Sequence, residues 1–209
     1  MQASKITARF ARRALAVGAV SGVALTVGLT AALGATGGAD GPARAAQSFS
    51  FNLVPSPNIA ACLPHASGRA TITTGRLNDT MKVSISGMPA HTGFDLFVIQ
   101  QPLAPFGVSW YQTDVNAGDN GSGSATVRGV FDVETFSVSP GGTTTFAPTH
   151  QYHLGLWFNN PNTPFNLGCE PGATSPIVTP FNGEQHAGVQ VLNTSEFPDN
   201  AGPLSHVHR

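Results

Sequence analysis

The sequence predicts an all-β fold, an antiparallel β-sandwich of Ig-like or jelly-roll-like type with about eight strands and one disulfide. Three observations predict it. Apolar residues alternate with polar residues at a period of two, and turn-forming residues interrupt the alternation at short intervals. After the first 45 residues, no stretch carries a sustained apolar stripe at helical spacing.

The first 45 residues differ in composition from the rest of the chain. They hold five of the ten Lys and Arg residues, an uncharged apolar run over 14–35, and a small-residue site at Ala43-Arg44-Ala45. This order predicts a signal peptide over 1–45 that is cleaved after Ala45, with an uncleaved anchor as the alternative. Arg12-Arg13 leaves the export route open between the general and the twin-arginine pathway.

The chain behind the predicted leader is acidic. It has five basic and ten acidic residues, so its formal net charge is −5 with histidine neutral. An acidic surface argues against nucleic acid as a partner, and no apolar run long enough to span a membrane remains after cleavage. We expect a secreted protein, extracellular or associated with the cell wall.

The strands follow from the alternation. Phe49, Phe51 and Leu53 alternate with polar residues, and the same pattern recurs along the chain. The predicted strands cover residues 48–53, 70–74, 81–86, 94–99, 108–113, 124–131, 135–138, 151–158 and 189–192. The segment 94–99 is apolar on both faces, which predicts a central strand. The predicted domain spans 46–197, and the segment 198–209 has no core pattern, which predicts a flexible tail.

Turn residues connect these strands. Asn78-Asp79 predicts a hairpin between the second and third strands, and residues 116–123 predict a second hairpin with a longer loop. The segment 161–171 is a Pro, Asn and Gly-rich loop that carries Cys169. Cys62 and Cys169 are the only two cysteines, and in an oxidising compartment they predict a disulfide. A disulfide that closes a loop of about 107 residues would stabilise the fold by about 4–5 kcal/mol in the chain-entropy treatment.

Several patterns raise catalytic or metal chemistry without establishing it. His153 and His186 could meet across strands, but solvated histidines on polar strand faces are the alternative to a metal site. The segment 114–121 has the composition of a calcium loop, yet its spacing is that of a turn. Asp132 and Glu134 share a strand face, as paired carboxylates in glycosidases do, or they are simply solvated. The sequence predicts no catalytic residue, metal ligand or cofactor.

The aromatic residues give the strongest prediction of binding. The alternation places Trp157 on the face opposite Leu154 and Leu156, together with Gln151 and His153. An outward tryptophan beside polar side chains is a stacking platform for a sugar or a protein partner, unless long loops cover this face. Trp110 and Tyr111 are adjacent, so one of them points away from the core. The predicted ligand-binding residues are therefore Trp157, His153, Gln151, His186, Trp110 and Tyr111.

Three segments carry a resemblance. The runs TGFDLFVIQQP from Thr92, YHLGLWFN from Tyr152 and TPFNGEQHAG from Thr179 resemble segments of uncharacterised secreted proteins of high-GC Gram-positive bacteria. The resemblance covers most of the chain behind the leader and implies no activity or functional residue. We expect a secreted, non-catalytic β-domain that binds an extracellular ligand or partner such as a carbohydrate or a protein. The alternatives are an extracellular hydrolase acting on glycans and a structural envelope protein without a deep pocket.

Overall fold

The computed structural model describes residues 46–131, 153–181 and 186–207. The strands are β1 (Ser48–Pro55), β2 (Ser67–Thr73), β3 (Asp79–Ser86), β4 (Gly93–Ile99), β5 (Ser109–Asn116), β6 (Gly123–Gly129), β7 (His153–Phe158) and β8 (Gln190–Asn193). Two short helices, α1 (Pro57–Cys62) and α2 (Asn162–Asn166), and a 3-10 helix (Pro203–His206) lie in the connections. The predicted strand 135–138, the leader 1–45, and Gln151, Asp132 and Glu134 lie outside the described residues.

The eight described strands form one antiparallel sheet in the order β5-β4-β7-β8-β1-β2-β3-β6. Strand β1 joins its two halves, because residues 48–53 pair with β2 while Val54 and Pro55 pair with β8. The end strands β5 and β6 contact each other, so the sheet is nearly closed and barrel-like. The all-β class, the antiparallel pairing and the strand number are thereby confirmed.

One of the two predicted hairpins forms a ladder. Strands β2 and β3 pair around the predicted turn, with Thr73 opposite Thr80. The second prediction needs correction: β5 pairs with β4, β6 pairs with β3, and the two strands stand at opposite ends of the order. Strand β6 pairs with β3 in a register that sets Ala125 opposite Val83 and brings the apolar face of β6 beside that of β3.

The main core fills the space inside the sheet. The predicted alternation is confirmed in β3, where Met81, Val83 and Ile85 are buried. Burying each such side chain fully stabilises the fold by about 1.5–3 kcal/mol. Strand β4 is buried on both faces from Phe94 to Ile99 and is paired on both edges, as its apolar pattern predicts.

A second, smaller cluster lies on the opposite face of β4 and β7. Phe97, Ile99 and Trp157 are buried there together with Ala187. Phe106 and Phe181 cover them from two separate loops. We call this set the outer aromatic cluster.

The predicted disulfide is confirmed. Cys62, at the end of α1, bonds to Cys169 after α2, and their Cα atoms are 5.2 Å apart. It anchors the long connection between β7 and β8 to the segment that follows β1. No helix was expected here because α1 and α2 have only six and five residues, too few for an amphipathic stripe.

The C-terminal segment differs from the expected flexible tail. Pro203 begins a 3-10 helix that buries Leu204, and Val207 packs into the main core. His206 contacts the ring of Phe49 edge-on, with centroids 6.2 Å apart. Leu204 and Val207 are three residues apart, so one helical turn brings both onto the core where an alternating pattern would show nothing.

No helix within the described ranges is long and apolar enough to cross a membrane.

Candidate functional site

The structure decides between the two alternatives for Trp157. The side chain lies on the predicted face of β7, opposite Leu154 and Leu156, but it is fully buried. The rings of Phe106 and Phe181 stand nearly perpendicular to it, each with its centroid 5.0 Å away. The exposed stacking platform is therefore not formed at Trp157, because two loops cover the outer face.

Trp110 and Tyr111 divide as predicted between the inside and the outside. Trp110 is half-buried against the main core, whereas Tyr111 is 51 % exposed. The Tyr111 hydroxyl donates to Asp114 Oδ1 at 2.7 Å, and its ring meets Phe97 edge-on. Tyr111 is the member of the predicted binding set that offers an exposed aromatic surface.

The predicted approach of His153 to His186 is wrong. The register sets Trp157 opposite Gln190 and Gly155 opposite Asn193, so His153 lies beside Thr194. His186 precedes β8 and lies beyond the other end of this strand pair, where it is exposed. Within the described ranges, no three His, Cys, Asp or Glu side chains converge as metal ligands would.

His153 is buried and held by hydrogen bonds. Its Nδ1 is 2.9 Å from Thr194 Oγ1, and its Nε2 is 3.4 Å from the backbone oxygen of Asp199. Burial lowers the pKa of His153 below its ordinary value of 6.5, because water no longer stabilises the charged ring. The ring is a packed part of the fold and is fully buried.

The segment 114–121 behaves as a turn. Asp114 is engaged by Tyr111, and Asn120 Oδ1 accepts a hydrogen bond from the backbone N–H of Ser122 at 3.0 Å. A side-chain oxygen bonded to the backbone two residues on is the usual device of Asx turns. Of the oxygens that would serve calcium, Asn120 Oδ1 shapes the loop and Asp114 Oδ1 accepts from Tyr111, while Asp119 Oδ1 lies 3.3 Å from His91 Nε2.

A cleft of about 520 Å³ lies between the start of α1, the loop 100–107, the segment 169–179 and β8. We call it the α1–β8 cleft. Its walls are largely apolar and include Ile59, Leu103, Phe106, Ile177 and Val189. This is the size and character of a small-molecule site, which combines apolar walls with a few polar groups.

The loop 100–107 is shaped by an uncommon backbone conformation. Phe106 and Gly107 have φ values of 64° and 67°, in the left-handed region that favours glycine. Placing Phe106 there costs about 1–2 kcal/mol, and its ring contact with Trp157 offsets this cost. The wall of the cleft is thus fixed from behind by the outer aromatic cluster.

A buried polar network forms the floor of the cleft. Gln190 Oε1 accepts hydrogen bonds from Ser56 Oγ at 3.1 Å and from Asn193 Nδ2 at 3.1 Å. Gln190 Nε2 donates to the backbone oxygen of Pro102 at 2.9 Å. These bonds join the start of α1, β8 and the loop 100–107, so three of the four sides of the cleft are held in position before any ligand binds.

Glu170 is the exceptional residue of the cleft. It is only 7 % exposed, and its Oε2 accepts a hydrogen bond from the backbone N–H of Ile177 at 2.9 Å. Its Oε1 is buried and has no hydrogen-bond partner among the described residues. Leaving a buried acceptor unsatisfied costs about 1–3 kcal/mol, and more for a charged group.

Exposed aliphatic side chains cluster in the two segments that border the cleft. Leu103, Ile177 and Val178 are between 40 % and 46 % exposed. Leu103 and Ile177 also line the cleft itself. Exposed apolar side chains at the edge of an apolar cleft are typical of binding sites.

A groove of about 630 Å³ between β1 and the C-terminal segment is larger but chemically plainer. Its aromatic residues pack against one another, as in the edge-on pair Phe51 and Phe197. No charged side chain with an unpaired buried atom lines it among the described residues. The α1–β8 cleft is therefore the stronger candidate site.

Sequence reasoning missed the residues that make this cleft. Ser56, Glu170 and Gln190 lie far apart along the chain, and none belongs to a recognisable motif. One signal was present: Glu170 directly follows Cys169, so the disulfide fixes the position of an acidic residue in an otherwise uncharged loop.

No protein-family model matches this chain, and no curated protein is significantly similar to it. The family is therefore not shown by comparison, and the chemistry of the α1–β8 cleft is the ground on which a function can be proposed.

Proposed function

We propose that this chain is a secreted, non-catalytic β-domain that binds a small ligand outside the cell, and that the α1–β8 cleft is its binding site. The observation that carries the proposal is the cleft itself, with apolar walls, a floor held by hydrogen bonds and one buried acid. A cleft preorganised in this way binds without first having to order its own walls.

The disulfide supports the secreted part of this proposal. Disulfides form and persist in oxidising compartments, and Cys62–Cys169 fixes the segment that carries Glu170. A basic, apolar leader with a small-residue cleavage site supports the same location.

Binding is favoured over the structural alternative. A purely structural envelope protein is expected to lack a deep pocket, whereas this fold has a cleft of about 520 Å³. For a glycan hydrolase the paired acids Asp132 and Glu134 were the candidates, and they lie outside the described residues. His153, the buried histidine, has both ring nitrogens within reach of Thr194 and Asp199.

The test is a thermal-shift screen of small apolar compounds on the exported product of the full-length chain. We expect a subset to raise Tm, because a ligand that binds only the folded state stabilises it. Leu103→Trp should fill the mouth of the cleft and abolish these shifts. Leu77→Trp, at a 73 % exposed leucine in the connection between β2 and β3, is the matched control and should retain them.

Two results would overturn this assignment. One is a screen in which no compound stabilises the protein. The other is a set of stabilising compounds whose shifts persist undiminished in Leu103→Trp, which would place their site elsewhere.

A further inference from the structure

From Glu170 we infer that the ligand of the α1–β8 cleft is an apolar molecule with a protonated amino group, which pairs with this carboxylate. The inference rests on the proposed function and names the chemical class of the ligand. The cleft offers one charged contact in an apolar surrounding: among the described residues that line it, Glu170 is the only one with a formal charge.

The described residues supply no basic counter-ion to this carboxyl group. The described basic residues Arg69, Arg76, Lys82 and Arg128 lie on β2, the β2–β3 connection, β3 and β6. None of them lines the cleft, and no described basic side chain forms an ion pair with Glu170. Burying a carboxylate without a counter-ion is unfavourable, so a cation that enters the cleft would supply a partner that the described residues lack.

The polar side chains of the cleft floor are already occupied. Gln190 Oε1 accepts two hydrogen bonds, Gln190 Nε2 donates to Pro102, and Ser56 is bonded within the same network. Glu170 Oε1 is a buried acceptor of the cleft that has no hydrogen-bond partner among the described residues. The terminal torsion of a glutamate side chain is soft, so a small rotation of the carboxyl presents this oxygen to an entering donor.

The surroundings select an organic cation over a metal ion. Calcium and magnesium require six or more oxygen ligands, whereas the walls around Glu170 are built from aliphatic and aromatic side chains such as Ile59, Leu103 and Phe106. An ammonium group needs one strong acceptor, and its apolar body fills the remaining space. A charge-assisted hydrogen bond in such a site is about twice as strong as a neutral one.

The test compares two fluorescent probes that differ in one charge. Dansylcadaverine carries an aromatic body and a primary amine that is protonated at pH 7, and its N-acetyl derivative is neutral. Titrations on the exported full-length product should show at least about tenfold tighter binding of the amine, which corresponds to about 1.4 kcal/mol. Glu170→Gln should abolish this preference while keeping an acceptor for the Ile177 N–H.

The control variant is Glu196→Gln, which removes the same charge from an exposed residue outside the cleft and should keep the preference. If Glu170→Gln is not exported, the two probes on the unaltered protein decide alone, since equal affinities would overturn the inference. If the two probes bind with equal affinity and Leu103→Trp abolishes the binding of both, the α1–β8 cleft remains the binding site and only the preference for an amine is refuted. If neither probe binds, or Leu103→Trp changes nothing, the inference and the proposed site fail together.

Discussion

The outer faces of the two halves of the sheet differ, because one is open to solvent and the other is covered by loops. On β1, β2 and β3, hydroxyl side chains pair across the strands in the open, as in Ser50 with Thr71 at 2.8 Å and Ser67 with Ser86 at 2.9 Å. On β4 and β7, the outer face holds the outer aromatic cluster and is closed over by loops. The candidate site lies beside the covered half, and Phe106 belongs both to the cover and to the cleft wall.

The site of a single sheet arises where one of its faces has to be covered. The exposed half needs only alternation, because water satisfies its outer face. The covered half is apolar on both sides, so the loop 100–107 and the residues Phe181 and Ala187 are needed to exclude water from its outer face. A loop held down in this way becomes a fixed wall, and a cleft forms where its edge meets the next segment.

The largest expected effect is the loss of the Trp157 ring, against which Phe106 and Phe181 pack. Trp157→Ala removes a fully buried side chain from the outer aromatic cluster, and we expect a loss of about 3–5 kcal/mol in the free energy of unfolding. Thr71→Ala, on the open half, removes one exposed hydroxyl pair and should cost at most about 1 kcal/mol. Urea unfolding followed by circular dichroism measures both. Similar losses for the two variants would show that the covered half does not depend on its outer face more than the open half does.

A smaller effect is expected when a single methyl group is added beneath the outer aromatic cluster. A Cβ atom at Gly155 would lie 2.4 Å from the Trp157 ring and 2.9 Å from Gln190 Nε2. Gly155→Ala should therefore destabilise the protein by about 1–3 kcal/mol and also weaken ligand binding in the cleft. Gly118→Ala is the control, because a Cβ atom there comes no closer than 3.7 Å to its nearest neighbour. A Gly155→Ala protein that is as stable as the unaltered one would show that the outer aromatic cluster is loosely packed.

The smallest effect is a pH dependence that belongs to the covered half. His153 lies on the same face of β7 as Trp157, and burial lowers its pKa from 6.5. As the pH falls below about 6.5, the unfolded chain therefore binds a proton before the folded protein does, and stability is lost. His153→Gln should lack this loss, whereas His186→Gln, at an exposed histidine, should retain it. Parallel curves of Tm against pH for the unaltered protein and His153→Gln would refute it.

The sequence anticipated the parts of the fold that depend on period two. Met81, Val83 and Ile85 face the core because alternate residues of a strand share a face, and the two cysteines could pair only with each other. The β6 partner was missed because alternation defines a face but not the neighbouring strand. Leu204 was missed because its burial depends on a single 3-10 turn.

The candidate site was less accessible to such reasoning. The alternation placed Trp157 on the correct face, but it carries no information about which loop covers that face. Ser56 and Gln190 are 134 residues apart, and only the closed sheet brings them within a hydrogen bond. Contacts of that separation leave no local pattern, so the network and the unpaired oxygen of Glu170 became visible only in the fold.

The position of β1 between β2 and β8 sets an order of events in folding. Val54 pairs with Asn193, so one edge of the first strand stays open until the last strand has been made and delivered. Such non-local pairing slows folding, because a long loop must close before the contact stabilises anything. A chain interrupted before Gln190 would leave Ser56 and the Pro102 carbonyl without their partner. The same strand that completes the sheet therefore also completes the floor of the cleft, so the cleft cannot form before residues 190–193 have been made.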